Sequence, residues 1–341
     1  MIINVLTGHK KEFYSSKAML KERKLTMNID KLILYSREFD TELNFMNFHD
    51  ISFRKNNYKD QVFLYNSSED PNLLFKSYIE DIVLALKSNG AIVIPDYAFL
   101  RAHHNKVYME ILRDTILRDI DTGISSQHFG TYEDYKIYKE SVTIPAVIKG
   151  ATSSGSHYVG LIKSESDLRN LPKRYSRSPS LYIELKGFLQ NFHPHSKYRK
   201  KFIIQNFIPG LTGDYKVLVF GDRYYVMGRK TRKNDFRASG SGNFIFDMEV
   251  SDKMLDFSES IYSRLKVPVV SMDIASVNNR YYLIEFQCLK FGTSAVERSI
   301  RYYKKEDGLW RKFDEPSVLE KEFIRSVVTF LKKSYEKNHS C

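Results

Sequence analysis

The chain has 341 residues, 53 basic against 41 acidic, a formal charge of +12, and is 42% hydrophobic. That length and composition exclude large-scale disorder and suit about two or three lobes with cores of their own. The positive balance favours anionic partners (nucleotides, phosphorylated or carboxylate substrates, nucleic acid, an acidic membrane surface) without choosing among them. Two cysteines, Cys288 and Cys341, exclude a disulfide framework and a Cys-based zinc site. The opening MIINVLTGHKKEF lacks the pattern of a secretory signal, and no stretch approaches the roughly 18 apolar residues of a spanning helix. A cytoplasmic protein without a membrane span is the expectation.

Residues 1–100 read as a small α/β unit. Ile2–Leu6, Lys31–Tyr35, Gln61–Tyr65 and Ala91–Ile94 are short apolar runs that predict strands. Between the last two, Asp70 can cap a helix, Pro71 fits its first position and Asn89-Gly90 ends it. Leu74, Phe75, Tyr78, Ile79, Ile82, Val83 and Leu86 recur at helical spacing along it. The result is a βαβ unit and a partly parallel sheet. It carries no phosphate-binding glycine fingerprint, so it reads as scaffold or substrate wall.

Asn105 can cap the next helix, which puts Lys106 in its first turn. Residues 142–170 read strand–loop–strand–helix, and Lys149 ends the first strand beside the polar loop Thr152–His157. A strand-end lysine next to hydroxyls and backbone N–H groups, with Ser154 and Gly155 in the loop, can cradle a phosphate; an ordinary hairpin turn has the same appearance. The segment 169–201 is basic and reads as an exposed loop. Nucleic acid is disfavoured as its partner because no recognised module surrounds it. His193 and His195 lie two apart without an evident third ligand.

From Phe202 the pattern becomes antiparallel, with KFIIQNFI, DYKVLVF and RYYVMGRK separated by the turn signals PGLTG and GD. NDFRASGSGNF reads as a loop, and Asp252–Leu265 as a helix. Val269–Gln287 then reads as a hairpin about Asn278-Asn279. A two-residue loop sets Asp273 opposite Ile284. A three-residue loop, Asn278–Arg280, sets Asp273 opposite Glu285 and Met272 opposite Phe286. The second register is expected, because it puts Val270, Met272, Ile274, Tyr282, Ile284 and Phe286 on one face and gathers Asp273, Glu285 and Gln287 on the other. Such an all-oxygen cluster suits a hard cation. Ser317–Tyr335 closes the chain as an amphipathic helix, with Ser317 and Glu320 in capping-box spacing.

The succession Lys149, QNFIPGLTGDYKVLVFGDRYYVMGRK, DFRASGSG and MDIASVNNRYYLIEFQ resembles the ATP-grasp superfamily over roughly residues 100–290. It looks closest to carboxylate–amine ligases of the glutathione synthetase and ribosomal-protein glutamate-ligase type. The resemblance implies an α/β (α+β) ATP-grasp fold: a pre-ATP-grasp domain at 1–100, a small lobe at 101–204 and a large lobe at 205–341, the two lobes clasping the nucleotide. It implies that Lys106 and Lys149 touch phosphates, and that Gln205, Asn206, Phe207 and Ile208 form the hinge strand that reads adenine. Asp214 and Lys216 fall on the nucleotide side of the next strand. Arg229 and Arg237, with Ser239 beside them, match arginines that neutralise transferred phosphate, and Asp273, Glu285 and Gln287 match the metal ligands for Mg2+ or Mn2+.

The activity implied is ATP-dependent activation of an anionic carboxylate as an acyl phosphate, followed by attack of an amine. The acceptor could be a metabolite, a peptide or a cell-envelope precursor. A phosphotransferase acting on a hydroxyl, or a non-catalytic nucleotide or polyanion binder, is the alternative. Ligases of this type often form symmetric oligomers, so a homo-oligomer is among the expectations. The chain departs from the family at Gln287, where Asn is usual, at Lys216 and Ser239, where Arg and Asn are common, and after the last ligand, where Cys288–Thr293 replace a small-residue and proline pattern. These departures bear on the acceptor more than on the nucleotide.

Overall fold

The computed structural model describes residues 1–13, 27–152, 158–178, 181–190, 196–230, 244–246 and 248–339. Its strands form three sheets. The first is parallel, in the order β2 (Glu42–Asn47), β1 (Ile2–Thr7), β3 (Val62–Leu64) and β4 (Ile92–Ile94). The expected strand at Lys31–Tyr35 is instead part of α1 (Ile29–Arg37), and the strand it displaces is Glu42–Asn47. Asn28 caps α1 by accepting from the Lys31 N–H at 3.1 Å. Leu32 and Ser36 face inward while Leu34 is exposed, a four-residue spacing that a short apolar run conceals.

The βαβ unit is present as β3–α2–β4, with α2 spanning Leu74–Ser88. Its start differs from expectation. Pro71–Leu73 form a 3-10 turn in which Asn72 and Leu73 are left-handed (φ 60° and 58°), and only then does α2 begin. Asp70 still caps it, accepting from the N–H groups of Phe75 and Lys76 at 3.0 and 3.2 Å. Ile79, Val83 and Leu86 are buried, whereas the kinked start leaves Leu74 exposed.

Past α3 (Tyr97–Ala102) and α4 (Lys106–Ile116), the second sheet runs β5 (Ser126–Phe129), β8 (Phe202–Asn206), β6 (Ala146–Gly150), β7 (Val159–Ile162), all antiparallel. It shares a core with α5 (Tyr132–Tyr138) and α6 (Glu165–Ser176), built on Phe129, Tyr135, Ile148, Ile162, Leu168 and Phe202. Helix α7 covers Leu181–Gln190. The PGLTG segment after β8 does not turn the chain back on itself; it crosses from this sheet into the third.

The third sheet is ordered β13 (Arg280–Gln287), β12 (Val269–Val277), β9 (Gly213–Phe220), β10 (Arg223–Lys230), β14 (Tyr302–Glu306), β15 (Leu309–Phe313), with β11 (Phe244–Ile245) also on β10. The run KVLVF in β9 is buried on both sides. Val217 and Val219 meet α8 (Asp252–Leu265) through Leu255 and Ile261, while Leu218 and Phe220 meet α10 (Leu319–His339) through Ile324 and Val327. Each such side chain contributes about 1.5–3 kcal/mol by leaving water. A short helix, α9 (Ser294–Arg298), lies between β13 and β14. The expected Ser317–Glu320 capping box is not made: Ser317 accepts from the Tyr225 hydroxyl at 2.8 Å, and Glu320 from the Asn28 N–H at 2.9 Å.

Candidate active site

The hairpin reaches its expected carboxylate pairing by another route. Val277 pairs with Arg280, so the loop is the two residues Asn278 and Asn279, both left-handed (φ 50° and 60°), and not three. The ladder runs regularly to Ile274 opposite Leu283, then slips. Ile284 is the extra residue of a bulge, and Asp273 comes opposite Glu285, Met272 opposite Phe286 and Ser271 opposite Gln287. In consequence Leu283, not Ile284, fills the apolar face with Val270, Met272, Ile274 and Phe286. Tyr282 is half-buried, seated on Gly123 (φ 69°), where a Cβ would lie 2.4 Å from its ring. The edge of β13 is covered. Leu283 N–H donates to the Thr122 carbonyl (2.9 Å), and Arg113 donates to the Ile284 carbonyl at the bulge (3.3 Å).

Cross-strand register then builds a row of charge. Asp273 faces Glu285 on one side and Lys216 on the other, and Asp214 faces Arg229. Lys216 Nζ lies 3.2 Å from Asp273 Oδ1, and an Arg229 terminal nitrogen 2.9 Å from Asp273 Oδ2. The same guanidinium grips Asp214 through two contacts. Burial pushes the Asp273 carboxyl up, but Arg229 and Lys216 outweigh it and hold the group well below the usual carboxylate range. Asp214 shares Arg229 with a second carboxylate, and burial raises it to about 6. Arg229 is thus clamped between two acids rather than aimed freely at a substrate.

Glu285 lies 3.8 Å from Lys106 Nζ and accepts from the Gln287 amide at 2.9 Å. Burial raises its carboxyl, and Lys106, Lys149 and Gln287 together bring it below its ordinary value. Asn105 caps α4 as expected, accepting from Tyr108 N–H at 3.3 Å, and the Lys106 N–H donates to the Ala151 carbonyl at 2.9 Å. This bond holds the start of α4 against the end of β6, where Lys149 sits half-buried. Burial pushes the Lys149 ammonium down to about 8 despite the pull of Glu285 and Glu110. Gln205 spends its side chain on Glu110 (3.0 Å), and the exposed Asn206 bonds Ser125 and Gly123 (2.8 and 3.1 Å). Phe207 and Ile208 follow, half-buried. Ser154, Gly155, Arg237 and Ser239 lie outside the described residues, as do His193, His195 and most of the loops Thr152–His157 and NDFRASGSGNF.

The residues present fit a hard cation. Two carboxylates held ionised stand opposite each other, and the neighbouring Gln287 amide can turn its oxygen toward them.

Two groups of residues escaped the sequence reading. Glu110, fully buried, binds Arg113 (2.8 Å), Ser126 (2.8 Å) and Gln205, and so ties α4 to β5, β8 and the bulge. A polar pair at i, i+3 inside an amphipathic helix was the available signal. The second group, Glu69, His103 and His104, lines the same cleft as Lys106, Glu285 and Gln287. His104 Nε2 lies 3.1 Å and His103 Nε2 3.5 Å from Glu69 Oε1. Adjacent histidines were its only local signal, since Glu69 lies far upstream.

No family model matches the chain, and no curated protein matches it significantly. Solved structures do. A RimK domain ATP-grasp protein from Sphaerobacter thermophilus aligns at 14% identity and TM-score 0.53, covering 97% of this chain and 99% of that one. The ATP-grasp ligase PsnB, complexed with minimal precursor, Mg and ADP, aligns at 12% identity and TM-score 0.54, covering 96% of each chain. The macrocyclase MdnC of Microcystis aeruginosa MRC, bound to its precursor peptide MdnA, aligns at 11% identity and TM-score 0.52, covering 96% of this chain and 100% of that one. The chain therefore has the ATP-grasp fold. Over nearly its whole length its fold is similar to those of an ATP-grasp domain protein, an ATP-grasp ligase and a macrocyclase.

Proposed function

We propose that this protein is an ATP-dependent ligase that joins a carboxylate to an amine, releasing ADP and phosphate. The observation that carries the reading is the convergence of Lys106, Lys149 and Asp273, from α4, β6 and β12, on Glu285 of β13. The three sheets support lobes near 1–100, 101–204 and 205–341, although Gln205 and Asn206, at the end of β8, still belong to the second sheet.

On this reading Lys106 and Lys149 bind the phosphates. The substrate carboxylate attacks the γ-phosphorus and ADP leaves; the amine then attacks the acyl phosphate, loses a proton and expels phosphate. Mg2+ or Mn2+, when bound by Asp273, Glu285 and Gln287, neutralises phosphate charge. Arg229 and Lys216 keep Asp273 ionised and in place. Asp214 in turn orients Arg229. Arg237, Ser239, Ser154 and Gly155 are assigned to the transferred phosphate and the phosphate loop by the family pattern alone. A peptide acceptor is the favoured substrate class, because the similar structure of MdnC holds a precursor peptide and that of PsnB a minimal precursor.

The test is a thermal-shift titration with ADP, with and without Mg2+, on wild type and Glu285→Ala. At about a hundredfold excess over Kd the native state gains about 2.7 kcal/mol. A Mg2+-dependent shift lost in the variant supports the reading, and acid–amine pairs are then scored by ADP release. No shift in wild type sinks it.

A further inference from the structure

The wall of the cleft opposite β13 is built differently from the carboxylate hairpin. Consecutive side chains normally diverge, yet the rings of His103 and His104 lie with centroids 4.4 Å apart, nearly perpendicular. The cause is backbone: α3 ends at Ala102, His103 caps it in an extended conformation, and His104 is left-handed (φ 56°), which swings the second ring back beside the first. Both Nε2 atoms then face one carboxylate oxygen of Glu69, and the three donor atoms lie within 4.8 Å of one another. All three side chains are largely withdrawn from water, His103 most of all.

The other nitrogen of His103, Nδ1, lies 2.9 Å from Ser67 Oγ, and Ser67 in turn reaches the Ser68 carbonyl at 3.4 Å. With the serine hydroxyl proton on that carbonyl, Ser67 accepts from Nδ1–H. In that tautomer the Nε2 of a neutral His103 presents its lone pair toward Glu69, and a cation between the two takes the place of the hydrogen bond that Nε2–H donates to the carboxylate in the other tautomer.

We propose that Glu69, His103 and His104 form a binding site for a borderline divalent ion of the zinc class, separate from the hard-cation pair on β12 and β13. Zinc bonds of about 2.0–2.1 Å put tetrahedral donors roughly 3.3 Å apart, and the separations of 3.1 and 3.5 Å bracket that value. Two imidazoles and a carboxylate select zinc-like ions over Mg2+, which prefers oxygen alone. Ser67 orients His103 from outside the ligand set. Three protein ligands leave a fourth position, open to the cleft that also holds Lys106 and Glu285. A water, or a carboxylate or amine of the acceptor, can take it.

The full-length protein, stripped with chelator and dialysed, is titrated with Zn2+ against a chromophoric chelator and with Co2+ by visible absorption. Neither readout depends on ATP turnover, so failure here and failure of the ligase reading are separable. One equivalent of Zn2+ is expected, with Co2+ bands of a four- or five-coordinate nitrogen–oxygen site. His104→Ala and Glu69→Gln should each weaken Zn2+ binding at least about tenfold while the far-UV spectrum is kept, and Asp273→Asn should leave it unchanged. Equal Zn2+ binding by wild type and His104→Ala, loss of it in Asp273→Asn, or no binding below about millimolar Zn2+ each overturns the proposal.

Discussion

Two of the hairpins in the third sheet, β12–β13 and β14–β15, are made to nearly the same plan, and only the first carries the paired carboxylates of the site. Both turn through two left-handed residues, Asn278-Asn279 in β12–β13 and Asp307-Gly308 in β14–β15. The β14–β15 ladder is regular to its end and pairs like a scaffold: Tyr302 stacks on Phe313, and Lys305 lies over Trp310 while reaching Asp256 and Glu259 in water. The β12–β13 ladder spends one extra residue, Ile284, and thereby sets Asp273 against Glu285 while Leu283 stays in the core. Desolvation separates the charges as well. Lys305, with 31% of its side chain in water, is held charged by Glu259 and Asp256, whereas burial pushes Lys149 down to about 8. A site here is a hairpin whose charges are half-dried and whose register is deliberately irregular.

The largest effect expected concerns what holds the bulge. Glu110→Ala removes the only carboxylate bonded to buried Arg113 among the described residues, leaving a charge that also tethers the Ile284 carbonyl. It should destabilise the fold by about 3–5 kcal/mol in urea unfolding. Lys305→Ala, which breaks exposed pairs on the regular hairpin, should stay within about 0.5 kcal/mol. Equal costs for the two would erase the distinction between them.

Next in size is chemistry. Glu285→Ala and Asp273→Asn should each lower metal-dependent ATP turnover by about 10²–10³ with the fold retained. Lys304→Ala, on the scaffold hairpin, should leave turnover alone. Steady-state ADP release on all three variants checks this.

Lys149 gives a pH signature with two opposite signs. Its ammonium is half-titrated near pH 8 in the folded chain and near 10.5 when unfolded. A phosphate binds the charged form, so nucleotide affinity should be full below pH 8 and fall up to about tenfold per pH unit above it. Stability runs the other way. Between pH 8 and 10.5 the unfolded chain holds more protons on this group, so its contribution to stability rises with pH. Lys149→Met should therefore raise Tm at pH 7, lose that advantage by about pH 10, and flatten the affinity profile. Calorimetric ADP titrations and melts across this range separate it from a lysine that is merely exposed.

How much of this was legible depended on the range over which each signal acts. Val269–Gln287 announced a hairpin, its carboxylate pairing and its two faces, because alternation is local and survives in one strand. The bulge was hidden, since nothing in LIEF marks Ile284 as the unpaired residue; its covering by Thr122 and Arg113 comes from far upstream. Lys149 and Lys106 were readable as a strand end and a capped helix start. That Asp214 clamps Arg229 could not be read from spacing, because it depends on β9 and β10 being paired in register. Lys31–Tyr35 was misread because five residues cannot distinguish a period of two from one of 3.6 once the inward positions are Leu32 and Ser36. Glu69, His103 and His104 needed a left-handed turn that the sequence does not signal.

The smallest effect tests whether the two turns are equivalent once the strands are set aside. Asn279 is left-handed at φ 60°, a conformation asparagine tolerates and glycine adopts freely, and the matching position of the other hairpin is already Gly308 at φ 79°. Asn279→Gly should stabilise the fold by a few tenths of a kcal/mol, up to about 1, and Gly308→Asn should cost a similar amount. At this chain length that is about 1–2 °C in Tm. Because the bulge lies five residues beyond the turn, Asn279→Gly should leave ATP turnover unchanged. If turnover falls instead, the carboxylate register is set from the turn, and the bulge follows from it.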